Sequence, residues 1–190
     1  MTTPERKNRL LHTLQEYVEP GSRVLDLGCG GGQFTHAMFE AGYGTVGMDI
    51  SENALRFARQ QFPMCRFKSL NADGTTSEPS SSFSAVWSTE VIEHVLNVEA
   101  FLGEIYRILE AGGILILTTP YHGVLKNLLI CLLKFDRHFD PNGSHIRFFD
   151  RKGLDRCLKK AGLDPVKFCG VGRVWKMYRT WFVVARKPAS

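Results

Sequence analysis

The chain has 190 residues, 44% of them apolar and 23% charged, a length that buries about 70% of its unfolded surface as one domain and calls for no second. Its start, MTTPERKNRL, is charged and lacks the apolar stretch of a secretory signal. Cys29, Cys65, Cys131, Cys157 and Cys169 are scattered without a C-x-x-C pair, which argues against zinc and redox motifs and for reduced thiols in a cytoplasmic protein.

Pro4 to Val18 places Leu10, Leu11, Leu14, Tyr17 and Val18 at helical spacing before Pro20 and Gly21, which predicts an amphipathic leading helix within residues 1–19. A short apolar strand over 22–27 then carries Asp26 into VLDLGCGGGQF, where Gly28, Gly30, Gly31 and Gly32 follow within five residues. Glycines permit positive φ and let a ligand approach the backbone. The helix expected from Gln33 to Glu40 starts against that ligand with free N–H groups and the positive end of its dipole. These features read as a nucleotide-cofactor loop. Gln33 stands where a G-x-G-x-x-G fingerprint needs its third glycine, so the pattern is G-x-G-x-G at Gly28, Gly30 and Gly32. An acid at Asp26 suits a cationic ligand end, such as an amino-acid ammonium, better than a pyrophosphate.

The next strand, 44–49, ends in Asp49, at the tip of a neighbouring parallel strand where a carboxylate accepts both hydroxyls of a ribose. Ile50 follows and is placed to pack on an adenine face. Further strands are expected at about 64–69, 83–89 and 113–119, with helices between most of them, which implies parallel pairing. Thr75 to Ser82, TTSEPSSS, reads as a mobile polar surface loop. Asp150 is an N-cap candidate for a helix over Arg151 to Ala161, closed by Gly162, and Val166 to Val171 and Thr180 to Ala185 read as a closing pair of strands. The fold class is α/β: a Rossmann-like, seven-stranded, mostly parallel sheet with helices on both faces, in a single domain over 1–190.

The fourth strand runs into Ser88 to Val95, STEVIEHV, at the sheet edge where open α/β folds bind ligands. If the chain turns helical there, Glu90, Glu93 and His94 fall at i, i+3 and i+4 on one face. Such a set could hold Mg²⁺ with waters and substrate oxygens. Without metal, His94 is a candidate general base, with Glu90 orienting it or touching the cofactor.

Asp26 with its glycines, Asp49, FSAVWSTEVIEHV and LEAGGILILTTP occur in the order and spacing that resemble the class I S-adenosylmethionine-dependent methyltransferases, from about residue 20 to the C-terminus. The resemblance implies S-adenosyl-L-methionine as cofactor, held by Asp26, Gly28, Gly30, Gly32, Asp49 and Ile50, with Asp73, or Asn71, at the adenine amino group. More narrowly the chain is similar to the ubiquinone-biosynthesis O-methyltransferases, in a bacterial branch of the group. It is similar also to enzymes that methylate small-RNA 3′ ends. Both families bind a metal through two glutamates and two histidines, which here implies Glu90, Glu93, His94 and His145; other members carry the E-H dipeptide without metal. The [DN]-P-P-[YF] turn of nitrogen methylation and the P-C motif of pyrimidine carbon methylation are absent, which favours an oxygen acceptor. Ser84 stands after Phe83 where the family usually has Asp.

Residues 120–149 form the expected substrate or lid segment. Within it 124–135 is apolar but too short for a bilayer, which needs about 20 residues. It packs in the core, lids the pocket, or rests as a lysine-edged helix on an amphiphilic acceptor or a membrane surface. His12, His36, His122 and His138 read as surface or packing residues, His122 and His138 flanking the pocket. Residues 1–120 carry 9 Lys and Arg against 14 Asp and Glu (net −5), and residues 121–190 carry 15 against 5 (net +10). The basic half either solvates a surface or faces an anionic partner. The expected activity is methyl transfer to an oxygen of a small-molecule, lipid-linked or polysaccharide acceptor. An RNA ribose 2′-O-methyltransferase and a non-catalytic cofactor-binding protein are the alternatives, and the intact glycine loop counts against the last.

Overall fold

A computed structural model describes residues 4–133, 146–172 and 178–189, without the side chains of residues 4–10 and 125. The first half alternates: α1 (Pro4–Tyr17), β1 (Arg23–Leu27), α2 (Gln33–Glu40), β2 (Gly44–Asp49), α3 (Glu52–Gln61), β3 (Arg66–Ser69) and β4 (Phe83–Thr89). A 3₁₀ turn (Ile92–His94) leads into α4 (Val98–Ile108), β5 (Leu109–Pro120) and α5 (Val124–Leu133). The described remainder is α6 (Arg151–Lys160), β6 (Asp164–Val171) and β7 (Thr180–Arg186).

The seven strands lie in the order β3-β2-β1-β4-β5-β7-β6, parallel except for β7, which runs antiparallel to both neighbours. Chain order reverses between β1 and β4, so the crevice beyond their C-terminal ends is the topological switch point. Period-two alternation sorts the central strands between two cores. Val24, Ala85, Trp87, Ile114, Ile116, Phe182 and Val184 face α1 and α2. Leu25, Val86, Leu115, Leu117, Val183 and Ala185 face α4 and α6. Each face is covered, which is why these strands read as continuous apolar runs. Side-chain caps set the helix starts: Ser51 accepts from Ala54 N, Asn97 from Ala100 N, and Asp150 from Gly153 N.

Two expectations are corrected. β5 begins at Leu109 rather than 113, because Leu109 pairs with Phe83 before a bulge at Glu110–Gly112 resets the register to Ala85↔Ile114. The TTSEPSSS loop is pinned rather than mobile. Thr76 N and Oγ1 both donate to Glu104 at 2.8 Å, the Arg107 guanidinium donates to the Glu78 carbonyl at 2.9 Å, and Glu78 pairs with Lys68 at 2.5 Å. α5 also departs from the core-packing reading over its described part: Val124, Leu128, Leu132 and Leu133 are all exposed. No described helix is long and apolar enough to cross a membrane.

Candidate cofactor and acceptor site

The glycine loop leaves β1 at Gly28, whose N–H donates to the Met48 carbonyl at 2.7 Å, stitching the loop to β2. Gly28 has φ +80, and a Cβ there would meet Val91 Cγ2 at 2.3 Å. Only glycine fits, because the residue after Glu90 presses on the loop. Gly30, also at positive φ (+51), has nothing within 4 Å of where its Cβ would stand. That empty shell over the loop is a cradle on which a ligand can lie against bare backbone. Gly32 caps α2 in a left-handed conformation with no side-chain cap, so the helix presents its dipole and free amides to the same space.

Asp49 lies across from the cradle at the end of β2. Its Oδ2 accepts from Gly30 N and its Oδ1 from Ser51 N, both at 2.8 Å, so the carboxylate is oriented by two loop amides. Each oxygen keeps a further lone pair for a hydroxyl. Ile50, beside it, is 64% exposed, an apolar surface at the rim of a polar loop. Asp26 sits deeper, 2% exposed, and accepts from Thr35 Oγ1 at 2.6 Å, fastening β1 to α2. Burial lifts its carboxyl to about 7 against the Thr35 hydrogen bonds, and the Asp49 charge adds to the rise. Asp73 belongs to an exposed turn in which it accepts from Thr75 N at 2.9 Å and Thr75 Oγ1 at 2.7 Å, while Asn71 Nδ2 donates to the same hydroxyl.

On the acceptor side the expected helical face at 90–94 does not form. Glu90 takes φ +55 at the end of β4, held by its N–H on the Thr118 carbonyl (2.9 Å) and by Thr118 Oγ1 on its carboxylate (2.8 Å). Helical geometry starts only at Ile92 and lasts one 3₁₀ turn. Glu93 is wholly buried; its Oε2 accepts from Thr119 Oγ1 at 3.1 Å, while its Oε1 has no hydrogen-bond partner among the described residues and lies 4.0 Å from His94 Nε2. Burial pushes this carboxyl up to about 7, with the Glu90 charge adding to the rise and the Thr119 and His94 contacts opposing it. Glu93 is a carboxylate beside His94, whose side chain is 39% exposed.

Among the described residues no group of three or more His, Cys, Asp and Glu side chains converges to hold a metal ion. Glu90 and Glu93 are instead bound to different threonines of β5. His145 and His138 lie outside the described residues. His122 is buried, with Nδ1 3.1 Å from Asn127 Oδ1 and its ring edge-on to Phe148, so it fixes the start of α5. A separate cleft of about 420 Å³ between α4 and α6 includes Arg147 and Lys160, but these engage the Val95 and Leu96 carbonyls and Glu99.

Switch-point crevice, glycine loop and strand-end acid lie together at the C-terminal edge of a sheet with the class I methyltransferase fold. The chain belongs to the methyltransferase domain family, which matches residues 2–167. It is 29% identical to the mitochondrial ubiquinone biosynthesis O-methyltransferase of Rattus norvegicus over 161 residues, 80% of this chain and 47% of that one. It is 28% identical to the ubiquinone biosynthesis O-methyltransferase of Dechloromonas aromatica over 159 residues, 80% and 68% of the two chains. The chain thus spans about half the length of the rat relative and two thirds of the bacterial one. Among solved structures it resembles an S-adenosylmethionine-dependent methyltransferase from Methanosarcina mazei, with TM-score 0.77, 21% identity and coverage of 94% and 98%. It resembles equally a [4+2]-cyclase, with TM-score 0.77, 16% identity and coverage of 97% and 82%. Likeness at that level fixes the fold, and chemistry has to come from the site.

Proposed function

We propose that this protein is an S-adenosylmethionine-dependent methyltransferase acting on an oxygen of a small-molecule or lipid-linked acceptor. The observation that carries the reading is the open Gly30 cradle facing an Asp49 carboxylate already oriented by Gly30 N and Ser51 N. In it, Asp49 takes the ribose hydroxyls, Ile50 one face of the adenine, and the amides of the loop and of the first turn of α2 the carboxylate end. Asp26 beneath the loop contributes negative charge toward an ammonium. The turn containing Asn71 and Asp73 borders the adenine. Bound there, the cofactor supplies a methyl group on an electron-poor sulfonium.

The chain's own contribution is alignment, exclusion of water by the Val91 side of the loop, and a place for the acceptor's proton. His94 receives that proton, and the resulting imidazolium is stabilised by the neighbouring Glu93 carboxylate. No step is routed through a metal. The exposed apolar face of α5, with Ile146 and Phe148 also exposed, supports an amphiphilic acceptor and peripheral contact with its lipid surroundings. The names of the curated relatives support oxygen as the atom methylated.

Calorimetry with S-adenosylhomocysteine, followed by transfer of labelled methyl groups into lipid, sugar and RNA fractions of a cell extract with EDTA present, tests the reading. Cofactor-product binding with label in the lipid or small-molecule fraction is expected. Absence of binding overturns the methyltransferase reading. Label confined to RNA replaces it with the ribose reading, and a requirement for added Mg²⁺ restores the metal.

A further inference from the structure

Past the end of β5 the chain makes a short turn before α5, and Lys126, in the first turn of that helix, folds back over it. Its Nζ donates to the Tyr121 carbonyl at 2.7 Å and sits 5.7 Å from the centre of the Tyr121 ring. The next residue is fixed as well: Asn127 N donates to the Gly123 carbonyl at 2.9 Å, and its side chain meets His122. Tyr121 is itself fastened, its N–H donating to the Arg179 carbonyl at 3.0 Å. Lys126 is therefore a positioned ammonium, not a solvent-swept one, at the edge of the sheet where Glu90 follows β4.

An ammonium has three protons, and the Tyr121 carbonyl takes one. Burial pushes Lys126 below the usual lysine range; the Glu90 charge opposes that shift, and Arg179 adds to it. Among the described residues the groups acting on Lys126 are thus Glu90, just after β4, Tyr121, just after β5, and Arg179, just before β7. Of these described groups two are cations and one is an anion, in the basic half of the chain.

The geometry points to Lys126 as a specificity-determining residue that selects acceptors reacting as oxyanions, with Arg179 adding to the field. This rests on the methyltransferase reading above and adds the charge state of the acceptor. The acceptor hydroxyl gives up its proton to His94 before transfer. A lone pair of the oxyanion then forms the O–CH₃ bond while the S–CH₃ bond breaks and returns its electron pair to sulfur, leaving a methyl ether and a neutral thioether. Charge is annihilated in that step, so an ammonium that lowers the acceptor pKa raises the fraction of reactive anion near neutral pH. A neutral alcohol gains nothing from Lys126.

The test uses 4-nitrophenol, whose absorbance reports its ionisation, titrated over pH into protein saturated with S-adenosylhomocysteine. Wild type is expected to bind it as the anion and to lower its midpoint by about one unit, the effect of one nearby opposite charge. Lys126→Met should weaken binding about tenfold, the scale of one charge-assisted hydrogen bond, and abolish the midpoint shift. Lys126→Arg should retain most of both, and S-adenosylhomocysteine affinity should be equal in all three. Binding and ionisation unchanged in Lys126→Met, or no uptake of the anion by wild type, overturns the inference while leaving the methyltransferase reading intact. Failure of wild type to bind S-adenosylhomocysteine overturns both.

Discussion

Two alanine substitutions, two residues apart, separate the structural from the ligand-facing role of the glycine loop. Gly28→Ala places a methyl group 2.3 Å from Val91 Cγ2 at φ +80. The left-handed backbone costs an L-residue about 1–2 kcal/mol, and overpacking adds about 1–3 kcal/mol. A total loss of about 2–5 kcal/mol is large against a native stability of about 5–15 kcal/mol. Only the second part depends on the Val91 branches, since Val91 Cβ would stand at an ordinary 3.4 Å. Val91→Ala should therefore recover about 1–3 kcal/mol of it, read as a coupling energy in a double-mutant cycle by urea denaturation. Gly30→Ala, at φ +51 with empty surroundings, should lose only the backbone part of about 1–2 kcal/mol, yet bind S-adenosylhomocysteine at least tenfold more weakly by calorimetry because its methyl fills the cradle. Additivity of Gly28→Ala and Val91→Ala, or undiminished affinity in Gly30→Ala, would refute the assignment of the two glycines.

Asp49→Ala removes the acceptor of Gly30 N and Ser51 N and of the ribose hydroxyls; cofactor-product affinity should fall by about 1.5–3 kcal/mol, the range for hydrogen bonds to a charged group, and calorimetry showing no loss would remove Asp49 from the site. Asp26 titrates at about 7 in the folded protein against an ordinary 3.8, so between those values the native state holds the extra proton and stability falls as pH rises. Asp26→Asn should show a shallower decline, with Glu93, also raised to about 7, supplying the rest, and equal pH slopes for the two proteins in urea unfolding would count against a buried, raised Asp26 carboxyl. Arg107 donates to Glu104, Thr76 Oγ1, Ser80 and the Glu78 carbonyl; burial pushes Glu104 up, but the hydrogen bonds from Arg107 and Thr76 leave it lowered. Arg107→Ala should cost about 1–3 kcal/mol by stranding that carboxylate and open the 75–82 loop to protease, whereas unchanged cleavage there would show that the loop is held by other contacts.

Local chemistry made the glycine loop and the strands legible. The glycines, Asp49 and the apolar strands each act through backbone conformation or period-two burial, both of which are written in a few adjacent residues. What sequence could not convey were decisions made by distant partners. Arg107 on α4 converts a Ser- and Pro-containing stretch into an anchored loop, and nothing within TTSEPSSS announces it. Thr118 and Thr119 of β5 orient Glu90 and Glu93, contacts that i, i+3 spacing does not announce. Glu90 enters the left-handed region although glutamate does so rarely, so the helical expectation failed at the residue on which it depended. The early start of β5 was hidden by Gly112 and Gly113, which look like a turn and instead sit at the end of a bulge.

One pair of main-chain bonds anchors the acceptor side without calling on any particular side chain. The carbonyl of Glu93 accepts from both Ile146 N and Arg147 N at 3.1 Å, and the other end of the same stretch is tied down where Lys126 and Asn127 meet Tyr121 and Gly123. These clamps use mostly backbone atoms, which any sequence supplies. Outward side chains of α5 and of 146–149 can therefore be replaced while these clamps, the glycine loop and Asp49 stay where they are. Such replacements should change acceptor preference and leave cofactor affinity behind.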